Sequence, residues 1–157
     1  MSISLDWFGG VLVWFGGILA GVLVTLALQH SIPYLLARLI GSRFRSTGVS
    51  GVWTTEYTYP WEGRTKSDDP VLTLRKFGSY LVGSGTSHKD KSEYQIRGRL
   101  SKERIITGEW AELTSDGRRY YGSFQLAVAP TDTEMRGQWI GFSRSGEVNH
   151  GEWIWKR

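Results

Sequence analysis

Residues 134–155 read EMRGQWIGFSRSGEVNHGEWIW. Two Gly-x-Trp units, Gly137-Gln-Trp139 and Gly151-Glu-Trp153, lie on either side of Arg144-Ser-Gly146, which carries turn chemistry. In an extended chain residues i and i+2 share a face, so each unit presents a glycine and an indole to the same side. The pattern continues upstream. Glycines 98, 108, 122, 137 and 151 are spaced by 10, 14, 15 and 14 residues, and two positions after each stands Leu100, Trp110, Phe124, Trp139 or Trp153. An outlying copy is Gly51-Val-Trp53. That interval fits one strand plus one tight connection, which makes the repeat an antiparallel meander. Glycine lets a coiled strand bend and leaves room for a ring from its neighbour.

The same alternation predicts eight strands: Gly51–Tyr59, Val71–Phe77, Tyr80–Thr86, Glu93–Leu100, Arg104–Leu113, Arg119–Ala129, Glu134–Ser143 and Glu147–Lys156. Breaks at Lys76-Phe-Gly-Ser79, Ser115-Asp-Gly117 and Ala129-Pro-Thr-Asp132 separate them. The expected fold class is all-β: a small antiparallel, eight-stranded, up-and-down barrel whose interior is filled by the rings or holds one small ligand. Closure would also remove exposed edges. An open sandwich is the alternative. Charged residues such as Glu93, Arg97, Arg99, Glu134 and Arg136 alternate with the apolar set and belong outside. Thr55, Tyr57, Glu112 and Asn149 fall on the inner phase, where a barrel mouth would accommodate them.

Ahead of this domain, Trp7 to Leu28 form 22 residues without a charge. At about 1.5 Å per residue they match the roughly 30 Å of a bilayer core. Asp6 precedes the stretch, and Arg38, Arg43 and Arg45 follow it, the reverse of a cleaved signal peptide. The arginines predict a single-pass inner-membrane anchor with the following domain in the cytoplasm. Residues 1–47 thus form a transmembrane helix plus an interfacial or continuing helix over Ile32–Ile40, and residues 48–157 form the barrel. Gly10, Gly17 and Gly21 lie in phase on one helical face, a small-residue pattern that suits self-association into a homo-oligomer.

Chemistry in the sequence is confined to binding. The chain has no cysteine, and its three histidines are widely separated, so no metal or thiol site is expected. Gly83-Ser-Gly85-Thr-Ser87 lacks the ending of a phosphate loop, and there is no nucleophile elbow. A non-enzyme without cofactor is expected. The net charge is +4, with 16 basic and 14 acidic residues after residue 47, too even for duplex nucleic acid. Eight tryptophans and seven tyrosines suit stacking of nucleobases, with arginines at a rim to meet phosphates. The candidate ligand-binding set is Trp53, Tyr57, Arg75, Trp110, Arg119, Tyr121, Trp139 and Asn149.

A membrane segment joined to a cytoplasmic, aromatic-rich barrel resembles the CD-NTase-associated membrane effectors of bacterial CBASS anti-phage systems. The likeness rests on Ile106-Thr-Gly-Glu-Trp110, Tyr121-Gly-Ser-Phe-Gln-Leu126, Met135-Arg-Gly-Gln-Trp-Ile-Gly-Phe142 and Gly151-Glu-Trp-Ile-Trp155. That family is described with two membrane spans, where one full span is read here. The resemblance implies that the barrel senses a cyclic di- or trinucleotide and that binding drives assembly in membrane lipid, breaching the inner membrane. Two alternatives stay open: a tethered lipocalin-like carrier of a lipid or other apolar ligand, and a solidly filled interaction module.

Overall fold

The computed structural model describes residues 5–40, 48–61, 63–142 and 146–157, with only the backbone described for 5–16, 23, 26, 27, 30, 40, 60 and 61. Among the described residues, one helix, α1 (Leu5–Ile40), precedes nine strands. These are β1 (Gly51–Trp61), β2 (Arg64–Asp68), β3 (Val71–Phe77), β4 (Tyr80–Thr86), β5 (Glu93–Leu100), β6 (Ile105–Leu113), β7 (Arg119–Val128), β8 (Glu134–Phe142) and β9 (Val148–Lys156). All pairings are antiparallel, each strand from β3 onward pairs with the next, and β1 pairs with β9. The eight strands β1 and β3–β9 therefore close into a barrel, and β2 is an addition.

The eight expected strands include none over residues 64–68, and β2 there is the correction to that set. β2 and β3 share one register against β1, with Tyr57 opposite Asp68, Thr54 opposite Val71, and Gly51 opposite Leu74. They are one long strand interrupted at Asp69-Pro70. Proline has no N–H for the ladder. Its carbonyl instead accepts hydrogen bonds from the Thr55 N–H and the Thr55 hydroxyl, both at 3.0 Å.

The register explains the Gly-x-ring repeat. Gly137 lies opposite Trp153, and Trp139 opposite Gly151. Gly108 lies opposite Phe124, and Trp110 opposite Gly122. Two such units run antiparallel, so each ring lies over its partner's glycine. The space is fully used: a Cβ on Gly122 would come within 2.8 Å of the Trp110 Nε1, and one on Gly151 within 2.9 Å of the Trp139 Nε1.

Two ends result. At the near end lie the start of β1, the β3–β4, β5–β6 and β7–β8 turns, and the end of β9. This half is filled by Trp53, Leu72, Leu74, Leu81, Ile106, Leu126, Met135 and Trp155. Trp53 donates from Nε1 to the Val49 carbonyl at 2.9 Å, and the Arg157 guanidinium covers its ring at 4.5 Å. Arg157 also donates to the Ser50 and Asp132 carbonyls at 3.0 and 2.7 Å, tying β9 to the chain entering β1. At the far end lie the β1–β2, β4–β5, β6–β7 and β8–β9 connections.

Helix α1 runs through Pro33 without stopping, so the Ile32–Ile40 stretch continues the first helix. It packs on the outer wall of β3 and β4 near the near end: Tyr34 meets Tyr80 edge-on at 5.2 Å, Arg75 donates to the Arg38 carbonyl at 3.0 Å, and Ala37 is fully buried. Among the described residues no helix is long and apolar enough to cross a membrane. The expected span over 7–28 falls largely on residues whose side chains lie outside that description, Gly10 among them; Arg43 and Arg45 lie outside it altogether. Gly17 and Gly21 have open space where a Cβ would stand.

Candidate functional site: an aromatic cup over a buried carboxyl chain

In the far half of the barrel, Tyr57, Tyr94, Trp110, Trp139 and Trp153 line a cavity. β1 contributes Tyr57, on the inner phase set by Trp53 and Thr55. β5, β6, β8 and β9 contribute the other four. The rings meet mostly edge to face, Trp110 on Trp139 at 5.7 Å, Tyr57 on Trp139 at 5.9 Å and Tyr57 on Trp153 at 6.0 Å. Such contacts add about 0.5–1.5 kcal/mol each beyond area burial. The cavity among them measures about 10 Å³, room for a single water.

A hydrogen-bonded chain runs along the cup's β1–β5 side. Asp68, 5% exposed, accepts from Ser87 Oγ at 2.9 Å, the Asp69 N–H at 2.9 Å and Tyr94 Oη at 3.1 Å. The Tyr57 and Tyr94 hydroxyls are 2.7 Å apart. Because Tyr94 gives its one proton to Asp68, Tyr57 donates to Tyr94, and the order is Tyr57→Tyr94→Asp68. Burial pushes both phenols upward, so the two tyrosines stay protonated at neutral pH. Among the described residues, the buried indole N–H groups of Trp139 and Trp153 meet no hydrogen-bond acceptor.

Glu112, half-buried on the inner phase of β6, faces this chain. Burial raises its carboxyl above the usual range, against the pull of the nearby Ser92 hydroxyl, and the Asp90 and Asp68 carboxylates add to the rise. A carboxyl raised in the folded state contributes its stability fully below the ordinary value of 4.5. That contribution is lost as pH climbs through the folded value. Urea titrations of the wild type between pH 5 and 8 should therefore show stability falling with pH. Glu112→Gln, fixed in the neutral form, should flatten that slope and be the more stable protein at pH 8. An unchanged slope would refute the assignment.

Of the sequence-derived set, Tyr57, Trp110 and Trp139 come together in the cup, and Asn149 lies half-buried on the inner phase at the far end of β9. Trp53 points inward but belongs to the near-end core. Arg75 stands on the outer wall of β3 beside α1. Tyr121 faces outward, 59% exposed, against Phe142. Arg119 is exposed at the start of β7, at the far end. The structure adds Trp153, Tyr94, Asp68 and Glu112. Trp153 and Tyr94 share the inner phase of the repeat, and Asp68 gave no sequence signal.

No protein family matches the chain, and neither does any curated protein. Among solved structures, a redesigned β-barrel, mFAP1, bound to DFHBI, aligns over 69% of this chain and 94% of its own length, at 12% identity and a TM-score of 0.48. A mutant of the vaccine antigen transferrin binding protein B from Haemophilus parasuis aligns over 69% of this chain and 26% of its own, at 17% identity and a TM-score of 0.35.

Proposed function

We propose that this protein is a membrane-anchored sensor and effector of the anti-phage type, whose barrel receives a cyclic di- or trinucleotide and whose α1 carries the response into the membrane. The observation that carries the reading is the five-ring cup, which lies in the half of the barrel away from the α1 contact. Aromatic faces stack bases of any identity. The strand ends around the far end bring Arg64, Lys91, Arg118 and Arg119, suited to phosphates. Two indole donors with no acceptor among the described residues belong to the same rings. The uncharged stretch from Trp7 to Leu28, the arginines that follow it and the open faces of Gly17 and Gly21 support an anchor that self-associates.

A cavity of about 10 Å³ falls well short of the roughly 300–1,000 Å³ of ordinary small-ligand pockets. A base must part the rings or stack across their mouth. Full-length protein in nanodiscs, mixed with a panel of cyclic di- and trinucleotides, tests this. A ligand at a hundredfold excess over its dissociation constant adds about 2.7 kcal/mol, a rise of several degrees in melting temperature. Tryptophan fluorescence should change with it. If every panel member leaves both signals unmoved, the receptor reading falls. The small volume would then favour the filled interaction module. A lipid carrier is the least supported, since the cup has no void for an acyl chain.

A further inference from the structure

The two ends of the barrel differ in charge. Within two residues of its turns and of the chain end (76–81, 99–106, 127–135 and 155–157), the near end carries six basic and three acidic side chains. Among the described residues, the far end carries six basic and seven acidic ones, over 64–69, 85–94, 112–120 and 147–149. At the near end Arg104 is held by Asp132, and Arg157 by backbone carbonyls. Lys76, Lys102 and Lys156 have no ion-pair partner among the described residues. Lys102 and Lys156 are exposed and Lys76 is half-buried. They stand on β3, in the β5–β6 turn and on β9, spread around the end rather than gathered on one side.

Helix α1 meets the barrel at that same end. Tyr34 touches Tyr80 beside the β3–β4 turn, and Arg75, two pairs further along the ladder, donates to the Arg38 carbonyl. Every residue described from 17 to 32 is exposed, so the helix upstream of Pro33 stands clear of the barrel. The uncharged stretch ends at Leu28, six residues before Tyr34. Six helical residues rise about 9 Å, close to the roughly 5–8 Å of headgroups on each side of a bilayer core. We infer that the near-end rim, through Lys76, Lys102 and Lys156, rests on the anionic headgroups of the leaflet that α1 enters, so that the cup faces away from the bilayer. The inference rests on the membrane-anchored reading. Charge selects the lipid: one lysine near an anionic surface is worth about fivefold in occupancy. The attraction fades over a Debye length of about 8 Å, so it acts on the end nearest the span. The far end, whose acids match its bases, has no such preference.

The chain contains no cysteine, so single-cysteine variants of the full-length protein can each carry one dye. Thr131→Cys is exposed in the β7–β8 turn, across the near end from α1, and Ser115→Cys is exposed in the β6–β7 turn at the far end. Leu19→Cys lies within the uncharged stretch. In nanodiscs containing phosphatidylserine, a headgroup-level spin-label quencher should dim the dye on Thr131→Cys and spare the one on Ser115→Cys. A mid-bilayer quencher should dim the dye on Leu19→Cys. Purely zwitterionic lipid, or salt of about 1 M, where the Debye length is about 3 Å, should release the Thr131 probe and leave the Leu19 probe quenched. Lys102→Gln with Lys156→Gln, at two exposed positions, should lower occupancy of the docked state about tenfold or more and keep the wild-type melting temperature. Equal quenching of the Thr131 and Ser115 probes, none at Thr131, or quenching there that ignores lipid charge and salt would overturn the docking. With the Leu19 probe still quenched, those results defeat the docking alone; an unquenched Leu19 probe defeats the anchor and the docking with it.

Discussion

Gly137→Ala should cost about 3–5 kcal/mol, near the top of the range for single substitutions. The added methyl would stand 1.8 Å from the Gln125 carbonyl oxygen, 2.8 Å from its carbon and 2.9 Å from the Leu126 Cα. These are backbone atoms of the paired strand, so no side chain can swing aside. Relief requires separating β7 from β8 where Leu126 faces Gly137, a wall that the closed barrel needs on both edges. Gly122→Ala should behave alike, with its methyl 1.9 Å from the Ile140 oxygen. The control is Gly63→Ala, which has a φ of +72° and open space and should cost only about 1 kcal/mol through backbone strain. A small domain has about 5–15 kcal/mol in all. The two wall variants should therefore show greatly lowered urea midpoints or fail to accumulate, while the turn variant should purify normally. Wild-type midpoints for Gly137→Ala would mean that close strand approach is not what these glycines provide.

This wall was legible in the sequence because its signal is doubled. Period-two alternation placed the rings inside, and regular glycines marked the coil, so the predicted β3, β4 and β5 coincide with the observed ones and the other strands shift by a residue or two at their ends. β2 had neither cue. Arg64-Thr-Lys-Ser-Asp68 contains no apolar residue, and it is a strand only because β1 continues past the barrel and pairs with it. Asp68 was lost with it, and the acceptor on which Tyr94 depends went unseen. Within the candidate site, phase separates what was readable from what was not. Tyr57, Trp110 and Trp139 follow the inner phase of their strands. On β7 that phase runs through Gly122 and Phe124 to Tyr120, and it places Tyr121 outside. Leu72 and Leu74 likewise force Arg75 outward. Trp53 obeys its phase, but only the strand connections reveal that it fills the opposite end from the cup.

The interior is thus divided into a near half, where aliphatic side chains pack around Trp53 and Trp155 and fix the fold, and an aromatic half whose polar residues must be satisfied one by one. Edge-to-face rings leave little free volume, so any ligand entering the cup works against their contacts. The energetic opening for such a change lies where those contacts meet polar groups. Tyr57 touches Trp139 and Trp153 with its ring and Tyr94 with its hydroxyl. A movement of Tyr57 therefore reaches Asp68 through one intervening phenol.

Asp68→Ala should cost about 3–4 kcal/mol, because it strands two buried hydroxyl donors, each worth about 1–3 kcal/mol without a partner, and releases a part-buried N–H as well. The Ser87 hydroxyl, the Tyr94 hydroxyl and the Asp69 N–H all lose their acceptor beside the interruption between β2 and β3. Asp68→Asn keeps the volume and one oxygen, and Tyr94 can turn to accept from the new amide, so about 1–2 kcal/mol is expected. Asp69→Ala supplies the contrast. Its carboxylate, about half exposed, pairs with Lys89 at 3.3 Å, and exposed pairs of this kind contribute about 0–1 kcal/mol. Urea midpoints at pH 7 should therefore rank Asp69→Ala nearest the wild type, Asp68→Asn below it and Asp68→Ala lowest. A second readout ties the result to the cup. The Asp68 charge helps hold the Glu112 carboxyl high, so Asp68→Asn should also reduce the loss of stability between pH 5 and 8. Equal midpoints for Asp68→Ala and Asp69→Ala would show that the Tyr57–Tyr94–Asp68 chain does not hold the far half of the barrel. The ranking with an unaltered pH slope would leave that chain intact and separate Glu112 from it.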